Sequence, residues 1–260
     1  MDRRLGSVSL TFLGTGTSLG VPMVGCGCDV CISTNSKDNR LRSSVLIQSE
    51  KSTVVIDTGP DFRYQMLRQK VNTLDAIVFT HEHRDHTAGL DDIRAFNFFQ
   101  EKEMIAFATP RVQGEIQKQF PYIFGGNDYP GLPKIVFRSF ENDPFLIGNL
   151  DFVPIKALHY KMPVSGFRIG DITYITDANF ISEGELEKAR GSKVFILNAL
   201  REKKHVSHFT LEEATKIAQN IGADQTYFTH ISHQLGEHEK VSNNLPEGIF
   251  LAYDGLTISA

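Results

Sequence analysis

The sequence has no tryptophan and only 3 cysteines in 260 residues. So few thiols cannot form the disulfide framework that staples small secreted scaffolds. No apolar run approaches the ~20 residues that a membrane helix needs. An excess of positive charge is also missing. The 27 Lys and Arg are outnumbered by 31 Asp and Glu, for a net charge of −4. No overall basic field therefore recruits nucleic acid. There is no internal repeat, no low-complexity tract and no evident linker. The first residues carry two arginines before a short apolar stretch. There Ser7, Ser9 and Thr11 alternate with Val8, Leu10 and Phe12. That alternation reads as a strand, not as a secretory signal. These absences leave a cytoplasmic globular protein. Its hydrophobic content of 41% and charged content of 22% suit a full core. We read residues 1–260 as one domain.

The 3 cysteines lie within one short stretch, "GCGCDVC", as Cys26, Cys28 and Cys31. Three thiols cannot all pair with one another, and a cytosolic chain keeps thiols reduced. An isolated cysteine is usually a small buried hydrophobe. Three in a Gly-rich loop are better read as a metal site. Gly25 and Gly27 let the backbone turn tightly enough to aim several sulfurs at one point. A closed zinc site wants four ligands, commonly Cys₃His, so a fourth must come from elsewhere.

Short apolar runs bounded by turn residues predict strands along the whole chain, from "SVSLTFLG" to "GIFLAYDGLTIS". Helical patterns sit between some of them. Thr109 and Pro110 open one helix as cap and first residue. Ser182 and Glu185 have capping-box spacing. "FTLEEATKIAQNIG" is the clearest helix. Thr210 caps it, Glu213 completes the box and Gly222 stops it. Residues 121–133 are turn-rich and read as a loop. Arg94 with Phe96, Phe98 and Phe99 reads as a helix packing aromatics into the core. "GTGTSLG" lacks the G-K-[ST] of a phosphate-cradling loop and reads as a tight turn. Strands come first in hairpins and then alternate with helices. This predicts two sheets between layers of helices.

The strongest chemical signal is "FTHEHRDHTAGL", directly after the strand "DAIVFT". His81 and His83 are two apart and leave an extended segment on the same side. Asp85 and His86 follow within reach of a second point. Imidazoles with a carboxylate are the ligand set of zinc, iron or manganese. Four such residues in six make a poor solvated loop and a good metal site.

This H-x-H-x-D-H pattern resembles that of the metallo-β-lactamase superfamily, and the resemblance runs across nearly the whole chain. It implies an αββα sandwich of two mixed β-sheets flanked by helices. "VVIDTG" resembles the superfamily's first motif, with Asp57 at its strand end. Asp57 is read as hydrogen-bonding the ligand loop and not binding metal itself. His159 in "IKALHY", Asp177 in "TYITDAN" and His230 in "TYFTHIS" match the later ligand positions. The resemblance implies that one cation takes His81, His83 and His159, and the other Asp85, His86 and His230, with Asp177 bridging. His208, before Thr210, resembles the histidine of tRNA 3′-processing nucleases and related phosphodiesterases that protonates a leaving oxygen. The roles of His205, Arg94 and the basic loop Arg201–Lys204 stay open.

"GTGTSLGVP", "GCGCDVC" and "HISHQ" narrow the resemblance to PhnP-type phosphodiesterases. In that group His233 joins Cys26, Cys28 and Cys31 on a structural zinc. The implied activity is hydrolysis of a cyclic phosphodiester, phosphoribosyl 1,2-cyclic phosphate. A hydroxide bridging two Mn²⁺ or Zn²⁺ ions would attack, with Asp85 and His208 as the catalytic side chains. A small phosphodiester is the expected partner, with no membrane, no nucleic acid and a homodimeric assembly. The rival enzymes are a tRNA 3′-processing endonuclease and a 2′,3′-cyclic nucleotide phosphodiesterase. A metal-binding regulator without turnover is the rival of another class. Filled ligand positions and His208 argue against it.

Overall fold

A computed structural model describes residues 8–126 and 129–260. Ser7, part of the expected first strand, lies outside them. Six strands and five helices come first: Ser9–Gly14 (β1), Ser44–Gln48 (β2), Thr53–Ile56 (β3), Phe62–Arg68 (α1), Ala76–Val78 (β4), Arg84–Thr87 (α2), Arg94–Gln100 (α3), Met104–Ala108 (β5), Pro110–Gln119 (α4), Pro121–Phe124 (α5) and Ile135–Ser139 (β6). The rest follow: Phe145–Ile147 (β7), Leu150–His159 (β8), Met162–Ile169 (β9), Ile172–Ile175 (β10), Glu183–Ala189 (α6), Val194–Asn198 (β11), Leu211–Ile221 (α7), Gln225–Thr229 (β12), His238–Ser242 (α8), Ile249–Leu251 (β13) and Thr257–Ser259 (β14). They build two seven-stranded sheets, ordered β14-β1-β2-β3-β4-β5-β6 and β13-β12-β11-β10-β9-β8-β7. In each sheet an antiparallel meander turns into parallel strands, at β3–β4 and at β10–β11. Both sheets are thus mixed, and the αββα sandwich expected from the sequence is present.

The side-chain period of two explains the unbroken apolar runs. In β3, Val54 and Ile56 point between the sheets while Val55 points out to the helices. In β11, Val194 and Ile196 point in while Phe195 and Leu197 point out. Both faces of these central strands are covered, so nearly all of their residues are buried. Phe12, Phe152, Phe167 and Tyr174 fill the space between the sheets. Phe62, Met66, Val112 and Ile116 of α1 and α4 cover the first sheet. Ala214, Ala218 and Ile221 of α7 cover the second. Each fully buried Phe contributes roughly 1.5–3 kcal/mol relative to exposure.

Helix ends mostly follow the sequence. Thr210 accepts from Glu213 N–H, and Glu213 reciprocates onto the Thr210 N–H, 2.9 Å. Gly222 closes α7 at φ 68°. Thr109 accepts from Val112 N–H above Pro110. Other expectations are corrected. Ser182 caps α6 by position only, with no side-chain bond; Glu185 instead accepts from Lys156 N–H and Lys188. The stretch 121–133 is not all loop, because Pro121 starts the helical turn α5. "GIFLAYDGLTIS" is not one strand. Its halves, β13 and β14, join different sheets. Of the aromatic face of α3 only Phe96 is buried; Phe98 and Phe99 are 76% and 79% exposed. Arg94 pairs with Asp91 at 2.8 Å. Among the described residues no helix is long and apolar enough to cross a membrane.

Candidate active site

The candidate ligands gather at the carboxyl ends of strands. His81 follows β4, His159 ends β8, Asp177 follows β10 and His230 follows β12. This end of an open α/β sheet is where loops converge on a ligand. The loop after β4 is pressed against the loop after β3. A Cβ on Gly59 would stand 2.2 Å from the Asp85 carbonyl oxygen, and one on Gly89 2.2 Å from that of Gly59. Only glycine allows this approach. Thr58 N–H donates to His86 O, and Gly89 N–H to Thr58 O, both at 2.8 Å.

Asp57 governs this corner. It is fully buried and adopts the left-handed conformation, φ 66°. One oxygen accepts from Thr80 N–H at 2.9 Å. The other accepts from Thr80 Oγ1 at 2.8 Å and from His86 Nδ1 at 2.7 Å. Because the Thr80 hydroxyl donates to Asp57, it accepts from His81 Nδ1, 2.8 Å away. One carboxylate therefore holds two histidines as Nδ1–H tautomers and aims their Nε2 lone pairs into the cleft. His159 is set the same way, since its Nδ1 donates to the Ser207 carbonyl at 2.8 Å. Sequence reading missed Thr80 and Ser207. Thr80 adjoins the motif and was within reach. A backbone carbonyl carries no sequence signal.

Asp177 stands at the centre. Its Oδ2 is 3.0 Å from His230 Nε2, 3.3 Å from His86 Nε2 and 3.8 Å from His81 Nε2. Asp85 Oδ2 is 3.3 Å from His86 Nε2 and 3.7 Å from His230 Nε2. The donor atoms of Asp85, His86, Asp177 and His230 all lie within 4.8 Å of one another. The rings of His81, His83 and His159 meet edge-on or tilted, with centroids 4.8, 5.0 and 5.9 Å apart. A second tight donor set lies around His159. It comprises His159, Asp177 and His208. The His208 ring lies 4.8 Å from His230 and 4.6 Å from His159.

The donor set fits divalent cations on one observation. Nε2 of His81 and His86, Nδ1 of His208 and both ring nitrogens of His230 are buried without completing a hydrogen bond. Buried polar atoms rarely go unpaired, and here they converge on two carboxylates. Without a cation the charges must settle among the side chains. Burial alone would lower His86, yet Asp85, Asp177 and Asp57 hold it well above its ordinary value. Burial likewise opposes His230, which Asp177 and Asp85 raise to about 9. Burial would raise Asp177, but His230 and His86 hold it well below the usual carboxylate range. His81 is pushed well below its ordinary value by burial and by His86. Burial and the His230 charge lower His208 to about 2. The same carboxylates that favour protonated His86 and His230 would favour a bound cation.

The cysteine loop meets the last ligand loop. Cys28 Sγ and Cys26 Sγ lie 3.2 and 3.4 Å from His233 Nδ1. All four donors, with Cys31, lie within 4.8 Å of one another. The hydrogen bond with His233, followed by the Cys31 backbone, lowers the Cys28 thiol to about 6. Thiolate character is what a metal ligand needs. His205 is half-buried, and its Nδ1 accepts from Ser207 N–H at 3.3 Å. Arg201 is tied to Gln234 and to the Lys203 carbonyl, so this basic loop is internally braced.

The profile of the beta-lactamase superfamily domain matches residues 52–231, which contain the ligand candidates from His81 to His230. A crystal structure described as a new diphosphatase from the PhnP family is 38% identical, with a TM-score of 0.91 over 96% of this chain and 97% of that one. This chain belongs to the PhnP family of the β-lactamase superfamily. Zn²⁺-bound PqqB from Methylobacterium extorquens shares the fold at 17% identity and a TM-score of 0.78, over 96% of this chain and 99% of that one. Human short-form tRNase Z shares it at 18% and 0.68, over 96% and 98%. An octanoyltransferase of Porphyromonas gingivalis is 37% identical over 247 residues, 94% of this chain. The chain spans half the length of that curated relative. Membership of the family implies divalent metal ions, and the donor clusters of Asp and His residues suit them.

Proposed function

We propose that this PhnP-family chain hydrolyses phosphoric diesters, and cyclic ones in particular, with phosphoribosyl 1,2-cyclic phosphate as the substrate. The observation that carries the reading is the convergence of unpaired histidine nitrogens on Asp85 and Asp177. In this reading His81, His83 and His159 hold one cation, Asp85, His86 and His230 the other, and Asp177 both. When bound, two divalent cations supply Lewis acidity to phosphoryl oxygens and a water that deprotonates near neutral pH. Manganese or zinc would serve. Cys26, Cys28, Cys31 and His233 hold a structural zinc that ties the N-terminal loop to the loop of His230.

The remaining work falls to side chains. Asp57 keeps His81 and His86 in the ligating tautomer through Thr80. Water adds to phosphorus, the ring P–O bond breaks, and the departing sugar oxygen takes a proton from His208. In the free site His208 is neutral because it is buried and faces a charged His230. Once His230 is a neutral ligand that repulsion ends, and an anionic phosphate beside the ring favours the imidazolium.

The 38% identical diphosphatase supports a second reading, cleavage of a diphosphate P–O–P bond. A phosphate leaves without protonation, so His208→Ala would retain that activity and lose cyclic-diester cleavage. We do not carry octanoyl transfer to this chain, because that name belongs to a protein of which it matches half. The proposed setting is the cytoplasm, where reduced thiols are free to hold zinc. The net charge of −4 disfavours a nucleic-acid partner. The proposed assembly is a homodimer, carried by the family resemblance alone. The test is initial rates of the manganese-loaded protein on phosphoribosyl 1,2-cyclic phosphate, a 2′,3′-cyclic nucleotide, a nucleoside diphosphate and a precursor tRNA. Preference for the first supports the proposal; preference for the diphosphate or the tRNA replaces it.

A further inference from the structure

Two helices that cover the first sheet are not polar on their outer sides. Phe62 of α1 and Phe96 of α3 meet below the surface, with ring centroids 6.3 Å apart. Above them Phe98 and Phe99 of α3 are exposed, and so are Tyr64 and Leu67 of α1, at 58% and 60%. The four are contiguous. Tyr64 and Leu67 are three residues apart and therefore neighbours on one side of α1. Leu67 and Phe99 line the same groove. The Phe98 and Phe99 rings meet edge to face at 5.2 Å. Taking about 200 Å² for each large side chain, the four together expose roughly 500 Å² of apolar surface. A contiguous patch of that size marks an interaction site.

The groove between the helices is a cavity of about 660 Å³. Its charges are divided by bank. Arg63 and Lys70 stand on the α1 bank, and Asp92 stands on the other, just before α3. Arg94 and Asp91 satisfy each other at 2.8 Å. Arg63, Lys70 and Asp92 make no ion pair among the described residues. One face thus carries an aromatic ridge beside an apolar groove, with free cations on one bank and a free anion on the other. Such a face is complementary to itself. A two-fold axis would set each ridge in the partner's groove and each Asp92 against the partner's Arg63 and the partner's Lys70. A partner of one charge sign would meet repulsion on one bank.

We infer that the α1–α3 face binds a second, two-fold related copy of this chain, with Phe98 and Phe99 at the centre of the contact. The inference rests on the homodimer reading and goes beyond it, because it says which face associates and through which side chains. A standard interface buries about 800 Å² on each partner. The apolar patch supplies more than half of that area, and the charged banks supply a polar rim. Aromatic side chains are the usual anchors of such contacts. The face carries none of the candidate metal ligands, so association and turnover can be measured apart.

The test is sedimentation velocity of the full, metal-loaded chain over a concentration series. The wild type should sediment as a dimer at about 50 µM. Phe99→Asp should raise the dimer dissociation constant at least about a hundredfold, because an anchor is lost from both halves of the contact. Its far-ultraviolet circular dichroism should stay native. Asp92→Arg, and separately Arg63→Glu with Lys70→Glu, should each weaken association about tenfold, since like charges then face each other. An equimolar mixture of these two variants should recover wild-type association, because only their heterodimer opposes unlike charges on both sides. Mixing would not cure a loss of structure. A wild type that stays monomeric would overturn the inference together with the homodimer. A dimer that Phe99→Asp leaves intact, or charge variants that mixing does not restore, would overturn the α1–α3 face and leave a homodimer formed through another surface.

Discussion

Stripping the cations should make this protein lose stability as pH rises from about 6.5 to about 9. The cause is His230, 1% exposed, with Asp177 at 3.0 Å and Asp85 at 3.7 Å. In the folded, metal-free chain these carboxylates overcome burial and raise His230 to about 9 from 6.5. A folded pKa above the unfolded one contributes stability that is full below the unfolded pKa. It falls as pH rises and is gone above the folded pKa. The shift corresponds to about 3 kcal/mol at most. In a chain of this size that is a fall of roughly 10 °C in midpoint. His86, also raised by its carboxylates, acts in the same direction. Cys28, lowered to about 6, acts in the opposite direction over the same window. The informative quantity is therefore a difference between wild type and His230→Gln, both chelated. Thermal midpoints at pH 6.5, 7.5, 8.5 and 9.5 would read it. The wild-type curve should fall relative to the variant, and reloading with cation should abolish the fall, because a ligating His230 carries no proton. Parallel curves for the two chelated proteins would refute the charge assignment.

Three substitutions probe other parts of the site. Asp85→Ala should lower turnover by at least about a hundredfold while far-ultraviolet circular dichroism stays native, since Asp85 is held by the ligand cluster and not by the core; full activity would remove it from the metal site. Cys28→Ser should lower zinc by about one atom per chain, measured by atomic emission, because one closed four-ligand site is lost; unchanged zinc would mean the loop holds none. Asp57→Ala should cost about 1–3 kcal/mol in urea unfolding of the metal-free protein, because it leaves the buried His86 Nδ1–H and Thr80 N–H without an acceptor. A loss under 1 kcal/mol would show that Asp57 does not anchor the two tautomers.

Much of the candidate site was legible because its residue types are costly to bury without a purpose. His81, His83, Asp85 and His86 stand together in the chain, and His159, Asp177 and His230 each end an apolar strand. The two-sheet architecture was legible because strands buried on both faces read as unbroken apolar runs. What stayed hidden is what depends on partners distant in sequence. The break between β13 and β14 is a turn whose two sides join different sheets, which no local pattern records. The role of Thr80 depends on Asp57, 23 residues earlier. Phe98 and Phe99 have the spacing of core residues on neither side of a known partner, so their exposure could not be read. The gathering of His208 with His159 and Asp177 needs the third dimension, because the end of β8 and the loops after β10 and β11 carry them. The left-handed turn at Tyr160 has no local sequence mark, since tyrosine there works against the usual turn chemistry.

The most direct test of the central claim is the initial rate of bis(p-nitrophenyl) phosphate hydrolysis before chelation, after chelation and after adding back Mn²⁺. The account predicts turnover that vanishes with chelator and returns with the cation. Turnover that survives chelation, or none at any loading, would contradict it.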